Sequence, residues 1–274
     1  MITDKWAIAH SNLVDDASLS GGSWHSTWNL EKLKKRELAL YALSSSGAAA
    51  DCTILFDHTT SESARFYGIF GHSCNDTSIT IRIRRSDLTP TGSEIYDSGV
   101  LPCWTFVPMR GYTGAGAHFG IFVMDTTHTS ARYTSIVIDA STYGAIRIGR
   151  PFIGPVFEPT YNPSYGRAND GWMEPNSRIV RAESGTDWPT KRREMRSVAY
   201  DMSFLSPSEA SEFHEIQRLH SIVDEVVHIP NTTDRAIMQQ YGFLGVMKKL
   251  SALEHPFYNH RAIAVAIDER GGAV

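Results

Sequence analysis

The stretch Ile79-Thr80-Ile81-Arg82-Ile83-Arg84 places a β-branched apolar residue at every second position. Successive side chains of a β-strand point to opposite faces, so this period of two predicts a strand with one buried face and one solvent-exposed face. Other stretches rich in aromatic and β-branched residues predict further strands, at 52–56, 65–71, 119–124, 133–139 and 146–148.

Turn-forming residues separate these predicted strands. The turn candidates are Asn75-Asp76, Pro90-Thr91-Gly92, Asp97-Ser98-Gly99 and the glycine-rich segment 111–116. Many short strands joined by turns, with little helix between them, favour a mainly β fold. We therefore predict an N-terminal antiparallel β-sandwich, or jelly roll, over residues 1–155.

Two segments lack a clear pattern. In residues 29–43, the charged first part favours helix by propensity, whereas the second part alternates like a strand. Residues 156–195 are rich in proline and glycine, with aromatic residues set among polar ones. Such a length of irregular chain is typical of a functional loop or of a surface that pairs with something, so we predict a long irregular loop there.

Regular patterns return after residue 195. Apolar residues alternate through a predicted strand at Val198, Tyr200, Met202 and Phe204. Ser206, Pro207 and Glu209 then form a capping-box signature at the start of a predicted helix. Its apolar stripe is Ala210, Phe213, Ile216, Leu219 and Val223. Further strands are predicted at 226–229, 243–250 and 261–267, the last of them central, with a short helix at 233–241. Residues 156–274 are therefore predicted to form a smaller α+β unit.

Bulk composition excludes several classes of function. Of the 274 residues, 42% are hydrophobic and 20% charged, which is typical of a globular protein. A net charge of -4 argues against a nucleic-acid partner. We expect no membrane span, since no apolar run approaches the required length, and we expect cytoplasmic folding, since no signal-peptide pattern is present. Cys52, Cys74 and Cys103 are an odd, widely spaced set, so we expect them to be buried small side chains rather than a disulfide framework.

No motif predicts a catalytic, cofactor-binding or metal-ligating residue, and the chain is predicted not to be an enzyme. Histidines 58, 72, 118 and 128 lie in the predicted sandwich, but none forms the H-x-H pair of a cupin-like metal site. Five tryptophans lie near turn-like sequence, where each either caps the sandwich core, stacks on a sugar or anchors a protein interface. They are Trp24, Trp28, Trp104, Trp172 and Trp188.

Several stretches together resemble a family of bacteriophage tail-tip (baseplate) proteins that carry an N-terminal discoidin-like, galactose-binding-fold sandwich. The stretches that carry the resemblance are Trp24 to Leu30, Ala49 to Asp57, Tyr67 to Ser73 with Ile79 to Arg84, Glu94 to Gly99, Ile146 to Gly154, and Arg192-Arg193 through Ser206 with the capped helix. The last of these is similar to the strand–helix unit of distal-tail and hub proteins.

The resemblance implies a structural component of a phage tail tip. Such a protein would assemble as a ring subunit at the distal end of the tail, in the host cytoplasm, and remain in the virion. Its partners would be copies of itself and other tail proteins of the tube, hub and fibre. The alternative hypothesis is a carbohydrate-binding module that contacts host surface glycans through the loop tryptophans. A glycan hydrolase is a third alternative, because the separation of a carboxylate pair is a tertiary property.

Overall fold

A computed structural model describes residues 5–74, 76–89, 92–105, 119–163, 169–174, 177–181, 185–190, 194–257 and 259–271. The chain divides into two compact units. The first contains Met1–Glu158 and Val227–Gly242, and the second contains Pro159–Val226 and Phe243–Gly271. The sequence predicted one boundary, at residue 155, and did not predict that residues 227–242 return to the first unit.

Strands dominate the described residues, which confirms the mainly β fold class. The strands are β1 (Ala7–Ala9), β2 (Ser18–Ser20), β3 (Ala42–Leu43), β4 (Thr53–Phe70), β5 (Thr80–Thr89), β6 (Gly92–Asp97), β7 (Leu101–Pro102), β8 (Ile121–Asp139), β9 (Arg147–Ile148), β10 (Arg150–Gly154), β11 (Val156–Phe157), β12 (Asn169–Glu174), β13 (Arg178–Arg181), β14 (Asp187–Thr190), β15 (Met195–Leu205), β16 (Glu225–Ile229), β17 (Phe243–Met247), β18 (Glu254–Phe257) and β19 (His260–Glu269). The helices are a 3-10 helix at Leu30–Lys34, α1 (Pro207–His220) and α2 (Arg235–Tyr241).

The first unit is an antiparallel β-sandwich built on a seven-stranded sheet. The sheet has the order β10-β4-β8-β5-β6, with β2 paired to β4 and β7 paired to β5. Ile79, Ile81 and Ile83 are buried, as their alternation predicts, and β5 lies between β8 and β6. In the same unit, β1 pairs with both β11 and β16, and β3 pairs with β9.

The two central strands are much longer than the sequence predicts. The predicted strands at 52–56 and 65–71 are parts of the single 18-residue β4, and those at 119–124 and 133–139 are parts of the 19-residue β8. The middle of each strand is polar and exposed, and its sequence therefore resembles that of a turn. The β4–β8 register shifts between Asp57 and Glu62. Both ends of β4 nevertheless line one core, because Ile54 and Tyr67 belong to the same buried cluster.

Helix α2 explains why a late segment of the chain belongs to the first unit. The buried Gln239 side chain donates from Nε2 to the carbonyl oxygens of Cys103 at 2.9 Å and Gly120 at 3.1 Å. Arg235 donates from Nε to the Phe122 carbonyl oxygen at 2.9 Å. The helix therefore anchors the sandwich on both sides of segment 106–118, which lies outside the described residues together with its predicted turn at 111–116.

The second unit contains the predicted α+β arrangement. Its main strands have the order β17-β19-β15-β12, and β18 also pairs with β19. The prediction that residues 261–267 form a central strand is confirmed, since β15 and β17 flank β19. The capping box is present as well: Ser206 Oγ accepts from the Glu209 amide at 3.3 Å, and Glu209 Oε2 accepts from the Ser206 amide at 2.7 Å. Helix α1 packs on β15 and β19.

Three residues predicted to face the core do not do so. Phe204 is half exposed because the register of β15 shifts between Met202 and Leu205, which gives Leu205 the buried position. Leu219 is exposed because the buried residues in the last turn of α1 are Gln217 and His220, and Val223 is exposed in the segment that follows the end of the helix at His220. The end of this helix therefore presents apolar side chains to solvent.

The prediction of an irregular loop at 156–195 is wrong for the described part of that segment. It contains β11, β12 and the β13–β14 pair, as well as the start of β15. Proline and glycine obscured these strands because neither residue is typical of strand interiors. Among the described residues, no helix has the length and apolar character needed to cross a bilayer.

Candidate functional site

Two loop aromatic residues stack on each other in the first unit. The rings of Trp28 and Tyr41 are parallel to within 8°, with their centroids 4.6 Å apart. The guanidinium carbon of Arg147 lies 5.4 Å from the centroid of the Tyr41 ring. Trp28 and Tyr41 are partly exposed and Arg147 is exposed. We call these three residues the aromatic loop cluster.

Backbone hydrogen bonds hold the cluster to the sandwich. Leu43, in β3, pairs with Arg147 of β9, and its amide donates to the Trp28 carbonyl oxygen at 2.9 Å. The Leu43 carbonyl oxygen also accepts from the His25 amide at 2.9 Å. On the other side of β9, the Arg147 amide donates to Ser73 Oγ at 2.9 Å. Three loops that are distant in sequence are therefore joined at one short strand pair.

The segment that links Trp28 to Tyr41 is rich in basic residues. The chain between Trp28 and Tyr41 carries four basic and two acidic residues, and it includes the 3-10 helix. Lys32 and Lys34 lie in the last turn of that helix. No ion pair to Arg147 is present within the described ranges. An aromatic surface beside cationic groups favours a ligand with an apolar face and negative charge.

The five tryptophans singled out by sequence have different environments. Trp24 is partly buried and donates from Nε1 to the Gly21 carbonyl oxygen at 3.1 Å. Trp104 is buried and packs edge-on against Phe119, so it caps the core. Trp188 lies in β14 and is 66% exposed. The side chain of Trp172 lies outside the described residues. Only Trp28 stacks on a second aromatic ring beside a cation within the described part of the chain.

The histidines of the sandwich have separate local roles. His58 Nε2 lies 3.1 Å from Thr134 Oγ1. His72 Nδ1 accepts from the Cys74 amide at 3.1 Å, and His128 Nε2 accepts from the Val156 amide at 3.1 Å. His118 lies outside the described residues. In the described ranges, no three His, Cys, Asp or Glu side chains are grouped as a metal site requires. The cysteines are all buried, as predicted, and burial contributes to raising the pKa of Cys52.

A second, buried polar cluster surrounds Arg85, which is fully buried. Its Nη2 donates to the carbonyl oxygens of Glu62 at 2.7 Å and Ala131 at 2.8 Å, Nη1 donates to the Thr129 carbonyl oxygen, and Nε donates to Thr134 Oγ1 at 3.3 Å. These carbonyls belong to β4 and β8 near their register shift. The guanidinium therefore joins the two long strands where their pairing is irregular.

His58 lies beside this buried guanidinium. Burial, followed by the positive charge of Arg85, lowers the pKa of His58 from its ordinary 6.5 to about 4. Its imidazole is therefore neutral at pH 7. This cluster was not predicted from sequence. Arg85 is the next position after Ile79, Ile81 and Ile83 on the buried face of the strand, and a charged residue at a buried position is not expected from the pattern.

No protein-family model matches the sequence. No curated protein sequence matches it either.

Solved structures that resemble the chain do so at low identity and over about half its length. One is the CBM32-1 module of a family 31 glycoside hydrolase from Clostridium perfringens, with 14% identity and a TM-score of 0.40, covering 53% of this chain and 98% of that module. Another is the lectin domain of lectinolysin complexed with Lewis B antigen, with 10% identity and a TM-score of 0.39, covering 53% and 96%. A third is a chitosan-binding module of a chitosanase/glucanase from Paenibacillus sp. IK-5, with 15% identity and a TM-score of 0.36, covering 53% and 98%.

Sequence reasoning found one of the three residues of the aromatic loop cluster. Trp28 was singled out because it lies near turn-like sequence. Tyr41 lies in the segment whose pattern was ambiguous, and Arg147 was noted only within a strand. These residues come together through the pairing of β3 with β9, which joins residues more than 100 positions apart in the sequence.

Proposed function

We propose that the first unit is a carbohydrate-binding module that holds a glycan at the aromatic loop cluster. The observation that carries the proposal is the Trp28–Tyr41 stack with Arg147 over the tyrosine ring. An aromatic face is flat, apolar and slightly negative, so it suits the C–H groups on one side of a sugar ring. Because Trp28 and Tyr41 stack on each other, each ring is already oriented by the other, and little side-chain freedom is lost on binding.

The same site favours an acidic glycan. The Arg147 guanidinium is exposed, and the 3-10 helix between Trp28 and Tyr41 carries Lys32 and Lys34. Arginine presents paired donors that match the two oxygens of a carboxylate or sulfate. A uronic-acid or sulfated polysaccharide therefore fits this chemistry better than a neutral one. The binding experiment is a glycan array with the full chain, followed by titration of acidic and neutral polysaccharides.

Substitution of Arg147 tests the preference for an acidic glycan. We expect Arg147→Gln to weaken binding of an acidic polysaccharide by at least about tenfold, because one charge-assisted hydrogen bond contributes about 1.5–3 kcal/mol. Binding of a neutral polysaccharide with the same backbone is expected to change little. Isothermal titration calorimetry measures both affinities.

Arg132 offers a matched control. Its guanidinium carbon lies 4.8 Å from the ring centroid of Tyr133, in β8, so it is also an arginine over a tyrosine. Arg132→Gln is expected to leave glycan affinity unchanged. Equal affinity of the wild type for acidic and neutral polysaccharides, or equal losses for both variants, would contradict the acidic preference.

We propose, as a second function, that the chain is a structural subunit of a bacteriophage tail tip. The observation that favours it is the β13–β14 pair, whose strand residues are all exposed although they include Ile179, Val180 and Trp188. The proposal places copies of the chain in a ring, assembled in the host cytoplasm and carried in the virion beside tube, hub and fibre proteins. A glycan-binding sandwich on such a subunit would contact the host surface, so the two functions are compatible.

The assembly function is tested on particles and on the purified chain. Antibody labelling of intact virions is expected to detect the protein at the tail tip. Mass photometry of the purified chain is expected to show discrete oligomers. A protein that is absent from particles and monomeric at every concentration would exclude this second function, whereas the glycan titrations would be unaffected.

A further inference from the structure

Two of the three cysteines are in direct contact inside the first unit. Cys74 and Cys103 are fully buried and belong to the same hydrophobic cluster. Both are free cysteines, and the Cys74 thiol hydrogen-bonds to the Cys103 thiol. Two thiols that already touch need only a further approach, to the sulfur–sulfur distance of about 2.05 Å, to form a disulfide.

The backbone on both sides of this contact is held in place. The Cys103 amide donates to the Ile79 carbonyl oxygen at 2.8 Å, and the Cys103 carbonyl oxygen accepts from Gln239 Nε2 of α2 at 2.9 Å. The Cys74 amide donates to Nδ1 of the buried His72 at 3.1 Å. Because both cysteines are already positioned, little conformational freedom is lost when a bond joins their side chains.

The loop that carries Cys74 reaches the surface. Ser73 is partly exposed and Asp76 is exposed. A local opening of this loop therefore admits a small oxidant while the sandwich stays folded. The hydrogen bond to Cys103, followed by burial, raises the pKa of the Cys74 thiol well above its ordinary value. Thiolate is the reactive form, so we expect the oxidation to be slow at neutral pH.

Cys52 is buried in the same cluster, but its thiol bonds elsewhere. Its Sγ donates to the Ser46 carbonyl oxygen at 3.1 Å, and its side chain also hydrogen-bonds to Ser44. The thiol of Cys52 is therefore held by the segment that precedes it in the sequence. Cys52 is an equally buried cysteine that serves as an internal control for the other two.

We propose that Cys74 and Cys103 form an oxidisable dithiol, which a peroxide converts to a disulfide that cross-links the sandwich. One thiolate attacks a peroxide oxygen, the O–O bond breaks, and a sulfenic acid and hydroxide form. The second sulfur then attacks the sulfenic sulfur, the S–S bond forms, and water leaves. Two thiols and one hydrogen peroxide thus give one disulfide and two waters, and the two electrons pass from sulfur to oxygen. The inference is independent of both proposed functions.

The cross-link is expected to stabilise the first unit. It closes a loop that contains β5, β6 and β7, and it therefore restricts the unfolded chain. Oxidation is expected to raise the midpoint of thermal unfolding by roughly 5–15 °C. Differential scanning calorimetry of the oxidised and reduced full chain measures this shift.

Counting free thiols tests the proposal. The folded chain is treated with hydrogen peroxide, unfolded in denaturant with an alkylating reagent, and weighed by mass spectrometry. Of the three free thiols, only Cys52 is expected to remain, and dithiothreitol is expected to restore the other two. Peptide mapping without reductant is expected to find Cys74 linked to Cys103. Cys52→Ala is expected to form the same link, and Cys103→Ala is expected to form none.

The wild-type chain alone can overturn the proposal, so the test does not depend on the folding of either variant. Three thiols that persist at a peroxide concentration that oxidises the unfolded chain would show that the pair is inert. A disulfide that includes Cys52 would show that the wrong pair was assigned. Thiols that are lost and not restored by dithiothreitol would show sulfinic acid in place of a cross-link. Each of these results contradicts the proposed dithiol.

Discussion

Arg85→Ala is expected to lower the free energy of unfolding of the first unit by roughly 3–5 kcal/mol. The substitution removes the guanidinium that donates to the Glu62, Thr129 and Ala131 carbonyl oxygens. The bond to the Ala131 carbonyl is buried and the other two are partly buried, so losing a donor costs about 1–3 kcal/mol at the first and less at the others, and the vacated volume adds a cavity term. Denaturant unfolding of the full chain, followed by near-UV circular dichroism, measures the change.

The neighbouring Arg84 is the matched control for Arg85. Its side chain is 25% exposed and forms an ion pair with Glu94 at 3.2 Å. Exposed pairs of this kind contribute about 0–1 kcal/mol, so Arg84→Ala is expected to have a small effect. If the two alanine variants unfolded at the same denaturant concentration, Arg85 would not be joining the irregular parts of β4 and β8 as described.

Acidification is expected to destabilise the first unit through His58. Its pKa is about 4 in the folded chain, below the ordinary 6.5, so the unfolded chain binds the proton more readily. The stability due to neutral His58 is therefore complete above pH 6.5 and is lost as the pH falls toward 4. A difference of this size corresponds to at most about 3 kcal/mol. Free energies of unfolding measured from pH 7 to pH 4 test the expectation.

His58→Gln isolates this contribution from other titrating groups. Glutamine has an amide that can still bond to Thr134 Oγ1, but it does not titrate. The variant is expected to show a shallower loss of stability between pH 6.5 and 4 than the wild type. His128, whose pKa is lowered mainly by burial, stays in both proteins and its effect cancels in the comparison. Identical pH profiles for the two proteins would show that His58 is not buried in its neutral form.

The sequence correctly predicted those strands and helix ends that depend only on residues close together in the chain. The alternation at Ile79, Ile81 and Ile83 depends on one strand having one buried face, and the capping box depends on residues three apart. Both are short-range properties, and both are present in the structure. The continuity of β4 was not predicted, since its exposed middle at 59–61 has the composition of a turn.

Tertiary pairing decides the features that sequence patterns missed. Phe204 alternates correctly with Met202, but a register shift between β15 and β19 moves it to the surface. The aromatic loop cluster depends on the pairing of β3 with β9, which no local pattern encodes. The glycan ligand that we propose for it is suggested by the stack and the nearby cation.

Titration of an acidic polysaccharide into the wild type and into Trp28→Ala, by isothermal titration calorimetry, tests the central claim most directly. We expect measurable binding by the wild type and a loss of at least about tenfold in Trp28→Ala, because truncating an aromatic side chain at the centre of a binding site costs about 2 kcal/mol or more. Trp188→Ala, in the second unit, is predicted to bind like the wild type. Binding that is absent from the wild type, or equally strong without the Trp28 ring, would contradict a glycan site at the aromatic loop cluster.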